Sequence, residues 1–397
     1  MSLNDTPRAN RLHIGIFGNT NSGKSSLVNA LTGQDTALVS EIAGTTTDPV
    51  YKAMEIHGIG PCVFIDTAGF DDTGSLGPLR IERTKDAMKK TDIALMVFSS
   101  MPDDTELFWM KALADHKITT IPVLNCRTDM PEADAIRAIE GAAGTAPVVV
   151  NAKTGEGIPE LRQALIRALP SDYEAQSITG SLAKPGDVVL LVMPQDIQAP
   201  KGRLILPQVQ TIRELLDKKC SVLSCTTDML DASLAALKGA PDLIITDSQV
   251  FKTVYEKKPA QSRLTSFSVL FAGYKGDIDY FAQSVRAIDA LTPQSRVLIA
   301  EACTHAPLTE DIGREKIPAM LRKKIGPSLG IDIISGPDFP DDLSGYDLII
   351  HCGACMFNRK YVLSRVEQAK NNHVPMTNYG ITIAYLSGIL DKIDLKA

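Results

Sequence analysis

The stretch GNTNSGKSS, residues 18–26, decides the fold of the amino-terminal part of the chain. It follows the apolar run RLHIGIFG (11–18) and precedes KSSLVNALTG (24–33), so it joins a predicted strand to a predicted helix. The glycines let the backbone wrap a polyphosphate, and the amide groups at the helix N-terminus face the anion. The match to GxxxxGK[ST] in this context predicts a phosphate-binding P-loop rather than a chance glycine-rich turn.

Residue types within the loop fit phosphate and metal chemistry. We expect Lys24 to reach the β- and γ-phosphates and the Ser25 hydroxyl to bind Mg²⁺. The other candidate nucleotide-binding residues of the loop are Asn19, Asn21, Ser22, Gly23 and Ser26.

Three further motifs follow the loop in order. DTAG (66–69) ends an apolar strand, so Asp66 can reach Mg²⁺ through water and the Gly69 amide can bond a γ-phosphate. AGTTTD (43–48) supplies the candidates Thr45 and Thr46, and a threonine here would bind Mg²⁺ only in the triphosphate state. NAKTG (151–155) follows the last strand of this region, where Ala152 and Lys153 are expected near the base.

Strand-like and helix-like segments alternate along the whole chain. This pattern predicts an α/β protein: a P-loop domain followed by two smaller α/β domains, each with a mostly parallel sheet. We place the boundaries at 1–172, 173–265 and 266–397. The middle domain shows no concentration of chemically active residues, so its expected role is association through an apolar face or an open sheet edge.

Two strand ends in the last domain concentrate cysteine and histidine. Cys303 and His305 follow RVLIAEA, and the other set follows YDLII in the sequence HCGAC (351–355). If both strands are parallel members of one sheet, their carboxyl ends lie together. Three thiolates would then meet one or two imidazoles, contributed by the following five candidates: Cys303, His305, His351, Cys352 and Cys355.

Ligand spacing alone does not choose the metal. Three cysteines with an imidazole or an open position suit an iron–sulfur cluster, and Cys₃His suits structural zinc. The plainer alternative is a pair of buried cysteines with surface histidines, since buried cysteine is common. The remaining cysteines lie in or beside apolar strands and are interpreted as core residues or as incidental: Cys62, Cys126, Cys220 and Cys225.

Composition excludes several classes of protein. The 397 residues carry a formal net charge of −6 and no long basic block, which argues against a nucleic-acid surface. The polar start lacks an apolar signal region, and no apolar run approaches membrane-spanning length. We therefore expect a cytoplasmic protein without membrane or nucleic-acid partners. Its seven cysteines are too scattered for a secreted disulfide scaffold.

Residues 11–170, with their motifs in this order, resemble the translation-factor class of GTPases, and within it the tRNA-modification and Era-like GTPases. The resemblance implies GTP or GDP bound with Mg²⁺. It also implies that Thr46 is the Mg²⁺-binding switch threonine and acts in catalysis with Lys24. Several members depend on potassium, and there Asn21 matches a K⁺ ligand and Ser40–Thr45 matches the K⁺-binding loop.

Two departures from that family affect base recognition and catalysis. The base-reading motif NKxD is replaced by LNCRTD (124–129). If Asp129 takes the aspartate position, Cys126 replaces the asparagine and Arg127 the lysine, and Asp129 can still accept the guanine N1–H and N2–H₂ groups. Phe70 stands where a catalytic glutamine often follows DTAG, so another group or the K⁺ must activate water, and hydrolysis is expected to be slow.

The pattern CxH…HCxxC downstream of a small GTPase domain resembles the HydF family of [FeFe]-hydrogenase maturation GTPases, over the whole length of the chain. This resemblance implies a [4Fe–4S] cluster held by Cys303, Cys352 and Cys355, with His305 or His351 as candidate for a labile fourth position. It assigns the three domains to GTP hydrolysis, dimerisation and cluster binding.

Members of that family act as scaffold and carrier for the diiron subcluster precursor. The implied partners are the radical-SAM maturases HydE and HydG, the apo-hydrogenase HydA, and a second copy of the chain in a dimer or tetramer. Two alternatives stay open: an RNA-directed GTPase of the tRNA-modification or Era-like type, and a zinc-stabilised regulatory GTPase.

Overall fold

The computed structural model describes residues 8–32, 50–56, 59–67, 77–126, 133–170, 177–194, 204–302 and 311–395. The chain divides into two compact units, Met1–Glu174 and Ala175–Ala397. Within the described residues, no helix combines the length and the apolar character needed to cross a bilayer.

The first unit is built on a six-stranded sheet with the order β2-β3-β1-β4-β5-β6. Its strands are β1 Leu12–Phe17, β2 Val50–Ile56, β3 Gly60–Asp66, β4 Ile93–Phe98, β5 Thr119–Asn125 and β6 Val148–Val150. Edge strand β2 runs antiparallel to β3 and the other neighbours are parallel, which confirms the mostly parallel sheet predicted for this region. The helices are α1 Lys24–Thr32, α2 Gly77–Lys89, α3 Asp104–Asp115, α4 Ala133–Ala143 and α5 Ile158–Arg167.

Two apolar clusters cover the two faces of this sheet. Ile14 and Ile16 of β1 pack into one cluster, and Phe17 at the end of the same strand packs into the other. Strands β1 and β4 are buried along their whole length. This explains their continuous apolar sequences, because a parallel sheet between two helix layers has no solvent face.

The second unit contains two four-stranded sheets, ordered β10-β9-β7-β8 and β12-β11-β13-β14, and all their strands are parallel. The first has β7 Val188–Val192, β8 Ser221–Cys225, β9 Leu243–Thr246 and β10 Arg263–Ser266. The second has β11 Arg296–Glu301, β12 Gly330–Ser335, β13 Leu348–His351 and β14 Met376–Asn378. The helices are α6 Leu206–Asp217, α7 Leu230–Ala236, α8 Phe251–Lys257, α9 Phe267–Lys275, α10 Ile278–Ser284, α11 Ile317–Ile325, α12 Arg359–Asn371 and α13 Tyr379–Leu386.

One apolar core joins the two sheets of this unit. Leu190 of β7 and Ile244 of β9 belong to the same buried cluster as Leu298 of β11 and Ile349 of β13. Helix α9 begins directly after β10 because the Ser266 hydroxyl accepts the Val269 amide at 3.2 Å as a helix N-cap. The boundary predicted after residue 265 therefore falls inside β10, within a region that shares its core with the following sheet.

The two edges of the first of these sheets differ. Along β10, the Asp394 amide donates to the Leu264 carbonyl at 2.8 Å, so the carboxyl-terminal segment covers that edge. Strand β8 pairs only with β7 among the described strands, and its residues are half-buried or exposed. A row of unpaired backbone groups on an edge strand can pair with another strand. The β8 edge is therefore a candidate surface for self-association.

We expect Ser224→Pro to block association through β8 without unfolding the sheet. The Ser221 amide donates to Asp187 of the neighbouring segment, and because alternate residues of a parallel strand bond the same neighbour, the Ser224 amide points to the open edge. Proline there removes only the outward donor. Light scattering should show a smaller assembly for Ser224→Pro than for Ser224→Ala. Equal masses would place the interface elsewhere.

Candidate functional site

The P-loop has the backbone geometry that its sequence predicts. Gly18 and Gly23 have φ values of 145° and 91°, a region that other residues rarely adopt. A Cβ at Gly23 would lie 2.0 Å from Nδ2 of Asn125, so only glycine fits between the loop and the end of β5. Asn21 adopts a left-handed φ of 63° at the tip of the loop and is exposed.

Lys24 and Ser25 lie at the start of α1, where the predicted phosphate and metal contacts would form. The buried Lys24 ammonium donates to the carbonyls of Gly18 at 2.9 Å and Asn19 at 2.7 Å. The Ser25 hydroxyl donates to Oδ2 of Asp66 at 3.3 Å. Burial raises the pKa of Asp66, and the nearby Lys24 charge and Ser25 hydroxyl oppose that shift. Serine and aspartate oxygens thus meet beside a fixed cation.

Three buried polar atoms around this point have no hydrogen-bond partner among the described residues. They are Oδ1 of Asn19, Oγ of Ser22 and Oδ1 of Asp66. Buried polar groups are almost always paired, because an unpaired one loses its hydration without compensation. The orphaned atoms surround the P-loop, so the residues present fit a bound nucleotide with Mg²⁺.

Asn125, which the sequence analysis did not select, joins the P-loop to the NAKTG segment. Its buried amide donates to the Ser22 carbonyl at 3.0 Å and accepts the Ala152 amide at 3.1 Å. The asparagine that makes this bridge thus stands one residue before Cys126, the position that the sequence aligned with the motif asparagine. The signal was present in the sequence, because Asn125 ends β5 beside the altered motif.

The remaining nucleotide-site candidates divide into described and undescribed residues. Nδ2 of Asn19 donates to Asp103, the N-cap of α3, at 2.6 Å. Ser26 and Lys153 are exposed, and the Lys153 amide donates to Oδ1 of Asn151 at 3.0 Å. The following lie outside the described residues: the Ser40–Thr45 loop with Thr45, Thr46, Gly69, Phe70, Arg127 and Asp129.

At the second site, the two cysteine-bearing strand ends meet as predicted. Strands β11 and β13 are parallel neighbours, with Ala300 opposite His351. Beyond the strands, Sγ of Cys352 accepts the Ala302 amide at 3.0 Å and the Ala354 amide at 3.4 Å. Ala302 immediately precedes Cys303 in the chain. The two cysteine-bearing segments are thus hydrogen-bonded to each other through a thiol sulfur.

Cys303 and His305 themselves lie outside the described residues. In the ranges that are described, no three His, Cys, Asp or Glu side chains are grouped for metal binding. Cys352 and Cys355 are half-buried, and burial raises the pKa of Cys352 to about 11 although the amides of Ala354 and Ala302 oppose it. Metal ligation would hold such a sulfur as a thiolate.

His351 is held by a hydrogen bond at each ring nitrogen. Its ring is buried, Nδ1 donates to the Cys352 carbonyl at 2.9 Å, and Nε2 accepts Nη1 of Arg365 at 3.0 Å. Burial and the Arg365 charge lower the pKa of His351 to about 3, so the ring is neutral. Both nitrogens are engaged in this arrangement. These bonds tie His351 to the start of the cysteine loop, and the choice between His305 and His351 as fourth ligand stays a prediction.

Two buried cations support the loop that follows His351. Arg365 lies among the rings of Phe339, Phe357 and Tyr361, at 4.7, 4.7 and 4.8 Å from their centroids. The Lys275 ammonium donates to the carbonyls of Phe357, Ala354 and Cys355 at 2.6, 3.2 and 3.4 Å. Burial lowers the pKa of Lys275 to about 8, opposed by the Cys355 and Cys352 thiols, so it is an ammonium at neutral pH.

The carboxylate at the end of β11 is already paired. Glu301 Oε2 lies 3.0 Å from Nη2 of Arg314 and accepts the Ser335 hydroxyl at 3.2 Å. The other four cysteines pack as predicted: Cys62 and Cys220 are buried, and Cys126 and Cys225 lie against apolar clusters. Cys220 also donates from Sγ to the Lys184 carbonyl at 3.3 Å, whereas Cys352 accepts two backbone amides.

Curated relatives match part of the chain. A tRNA modification GTPase MnmE from Nitrosospira multiformis is 35% identical over 161 residues, 39% of this chain and 34% of the relative. A GTPase Der from Wolinella succinogenes is 45% identical over 95 residues, 23% of this chain and 20% of the relative. The chain thus spans about a third or less of the length of these relatives.

Solved structures show a weaker likeness. Era from Aquifex aeolicus is 18% identical with a TM-score of 0.35, covering 57% of this chain and 98% of that one. The G domain of the FeoB iron transporter of T. maritima is 21% identical with a TM-score of 0.32, covering 40% and 99%.

Family models cover most of the chain. Residues 13–126 match a 50S ribosome-binding GTPase model, and they form a GTPase domain. Residues 178–276 match the hydrogen maturase F dimerization domain, and residues 279–394 match the tetramerization domain of the same maturase. The two maturase models together span more than half of the chain, and with the GTPase domain before them they show that the chain belongs to the hydrogen maturase F (HydF) family of GTPases.

Proposed function

We propose that this protein is a GTP-hydrolysing scaffold that binds a [4Fe–4S] cluster and delivers the diiron subcluster precursor to apo [FeFe]-hydrogenase. The observation that carries the cluster part is the hydrogen bond from the Ala302 amide to Sγ of Cys352. It brings the residue before Cys303 to the sulfur of the second cysteine, beside Cys355. Three thiolates from two strand ends fit a cluster with one exchangeable position.

Cys303, Cys352 and Cys355 would hold the cluster, and His305 or His351 is the candidate for the fourth position. When bound, the cluster supplies an iron that can accept an exchangeable ligand and a centre that takes up one electron. The amides of Ala302 and Ala354 stabilise a thiolate at Cys352. His351 orients the Cys352 carbonyl, with Arg365 fixing its tautomer.

For GTP hydrolysis, we assign phosphate binding to Lys24 and Mg²⁺ binding to Ser25, Thr46 and Asp66. The Ser25–Asp66 contact and the orphaned Asp66 oxygen support this assignment. K⁺ bound by Asn21 would supply a second positive charge beside the phosphates. With no glutamine after DTAG, turnover is slow, as suits a switch that times cargo transfer.

Self-association and cargo exchange complete the proposal. The dimerization and tetramerization models support assembly of this chain with itself, and the open β8 edge lies within the dimerization match. The radical-SAM maturases HydE and HydG would load the diiron precursor, and the apo-hydrogenase HydA would receive it, in the cytoplasm.

An RNA-directed GTPase is the weaker alternative. The likeness to MnmE is confined to about 39% of the chain. The zinc-stabilised alternative is separated by spectroscopy of anaerobically purified protein. A brown protein with sulfur-to-iron charge-transfer absorption and bound sulfide supports the scaffold, whereas a colourless zinc protein contradicts it.

Asn125→Ala should weaken guanine-nucleotide binding about tenfold or more. The change removes two hydrogen bonds between the P-loop and the NAKTG segment and leaves the Ser22 carbonyl and Ala152 amide unpaired, at about 1–3 kcal/mol each. Calorimetric titration with GDP measures the loss, and Lys24→Ala gives the reference for abolished hydrolysis. Wild-type affinity in Asn125→Ala would show that the bridge is not needed for binding.

GTP hydrolysis should be faster in K⁺ than in Na⁺, and Asn21→Gly should remove the difference. Glycine adopts the φ of 63° without strain, so this variant deletes the amide while preserving the loop. Steady-state phosphate release is measured in both salts at equal ionic strength. Equal rates in the wild-type protein would remove K⁺ from the proposal.

Serine in place of Cys303, Cys352 or Cys355 should strip most of the iron and stop hydrogenase activation, because an alcohol is a poor iron ligand. Iron and sulfide are quantified after anaerobic reconstitution, and GTP hydrolysis should persist. Cys220→Ser is the matched control, a buried cysteine that packs in another apolar cluster.

His305→Ala should alter the electronic spectrum of the cluster more than its iron content, since a labile ligand adds little affinity.

Full iron and sulfide in all three serine variants would contradict the three-thiolate arrangement. Full activation by a variant lacking all three cysteines would contradict the scaffold itself.

A further inference from the structure

Lys275 is a buried cation with no ion pair among the residues that the structure describes. Its side chain is 2% exposed at the end of α9. Among the described residues, no carboxylate pairs with it, and its three hydrogen bonds all go to backbone carbonyls. A buried ammonium is costly unless an anion compensates it. The protein part that the structure describes does not supply that anion.

All three bonds of Lys275 end in the loop that carries the second cysteine pair. They reach the carbonyls of Ala354, Cys355 and Phe357, and Ala354 has the strained φ of 51°. The Lys275 ammonium thus holds the turn between Cys352 and Phe357 through its backbone carbonyls. The side chains of Cys355 and Cys352 are near enough that a thiolate at either position would stabilise the Lys275 ammonium. The Lys275 ammonium therefore lies against this loop, and its positive charge is next to the two cysteines.

Arg365 supports the same loop by a different chemistry. Its guanidinium lies against three aromatic rings, donates to the Gly336 carbonyl at 2.7 Å and donates to His351, the neighbour of Cys352. Cation–π contacts stabilise a desolvated guanidinium. Lys275 has no ring contact among the described residues, so its charge is the one that calls for an anion in the loop.

We propose that Lys275 is the positioning residue of the cluster loop and that its ammonium compensates the negative charge of three thiolates and the iron–sulfur cluster they hold. This inference rests on the proposed function. Net charge and hydrogen bonding near the sulfurs set the reduction potential of such clusters. The reduced cluster carries one more negative charge than the oxidised cluster, so a fixed cation stabilises the reduced state and raises the potential.

The test uses Lys275→Gln, which removes the charge but keeps an amide donor, in the full-length protein reconstituted with iron and sulfide. The midpoint potential, followed by electron paramagnetic resonance during dithionite titration, should move to more negative values. Retention of iron against a chelator should fall about 10- to 100-fold, the usual effect of losing a residue that supports a metal ligand. Lys275→Arg should restore the wild-type potential.

Lys258 offers a matched control. Its half-buried ammonium also donates to three carbonyls, those of Ser262, Pro259 and Ala260 at 2.6, 3.2 and 3.4 Å, but within a loop that has no cysteine. Lys258→Gln should leave the potential and the iron retention unchanged. A purely structural role for Lys275 would make the two glutamine variants alike, each lowering the unfolding temperature of the apo-protein without changing the potential.

The outcomes separate the two levels of the proposal. A wild-type protein that binds no iron would overturn the proposed function and this inference with it. An iron-loaded wild type, together with Lys275→Gln of unchanged potential and iron retention, would overturn the inference alone. If Lys275→Gln does not fold, Lys275→Arg decides, because a folded arginine variant with a more negative potential contradicts charge compensation.

Discussion

The hydrogen bond between the Ala302 amide and Sγ of Cys352 is the contact on which the second site depends. It is possible only because β11 and β13 are parallel neighbours, so that both polypeptide segments leave the sheet at the same edge. A sulfur that accepts two amides is held in one orientation, and these bonds oppose the rise in its pKa that burial causes. The metal site proposed for this protein therefore depends first on the parallel pairing of β11 and β13, because that pairing brings the two cysteine-bearing segments together.

The loop around that contact is held by charged and polar side chains whose burial costs free energy. Lys275 and Arg365 are buried against the loop, and the neutral His351 ring lies between the Arg365 guanidinium and the Cys352 carbonyl. An apolar shell with the same shape would avoid the desolvation of two cations. Their presence is understandable if the loop is anionic when loaded, because a thiolate-bound cluster then supplies the missing counter-charge.

The nucleotide site follows the same logic, with a protein cation that meets an anionic ligand. Here the protein supplies a cation, Lys24, and orphaned oxygens around a loop of left-handed residues, and the ligand supplies the phosphate anion. Asn125 ties this loop to the segment expected near the base, so phosphate binding and base binding share one rigid connection. The exclusion of any side chain at Gly23 is a direct result of that packing.

Much of this was determined by the sequence alone. The P-loop, the parallel sheets and the pairing of two cysteine-bearing strand ends follow from local patterns: fixed spacing, apolar runs and glycine at positive φ. The tertiary structure decided the contacts between residues that are far apart in the sequence, which local sequence patterns do not contain. Asn125, at the end of β5, is the residue that bridges the P-loop and the NAKTG segment, and position 126 is not. Nε2 of His351 accepts a hydrogen bond from Arg365, a residue of α12. Lys275 reaches the cysteine loop from α9, far away in the chain, because one apolar core joins the two sheets of the second unit.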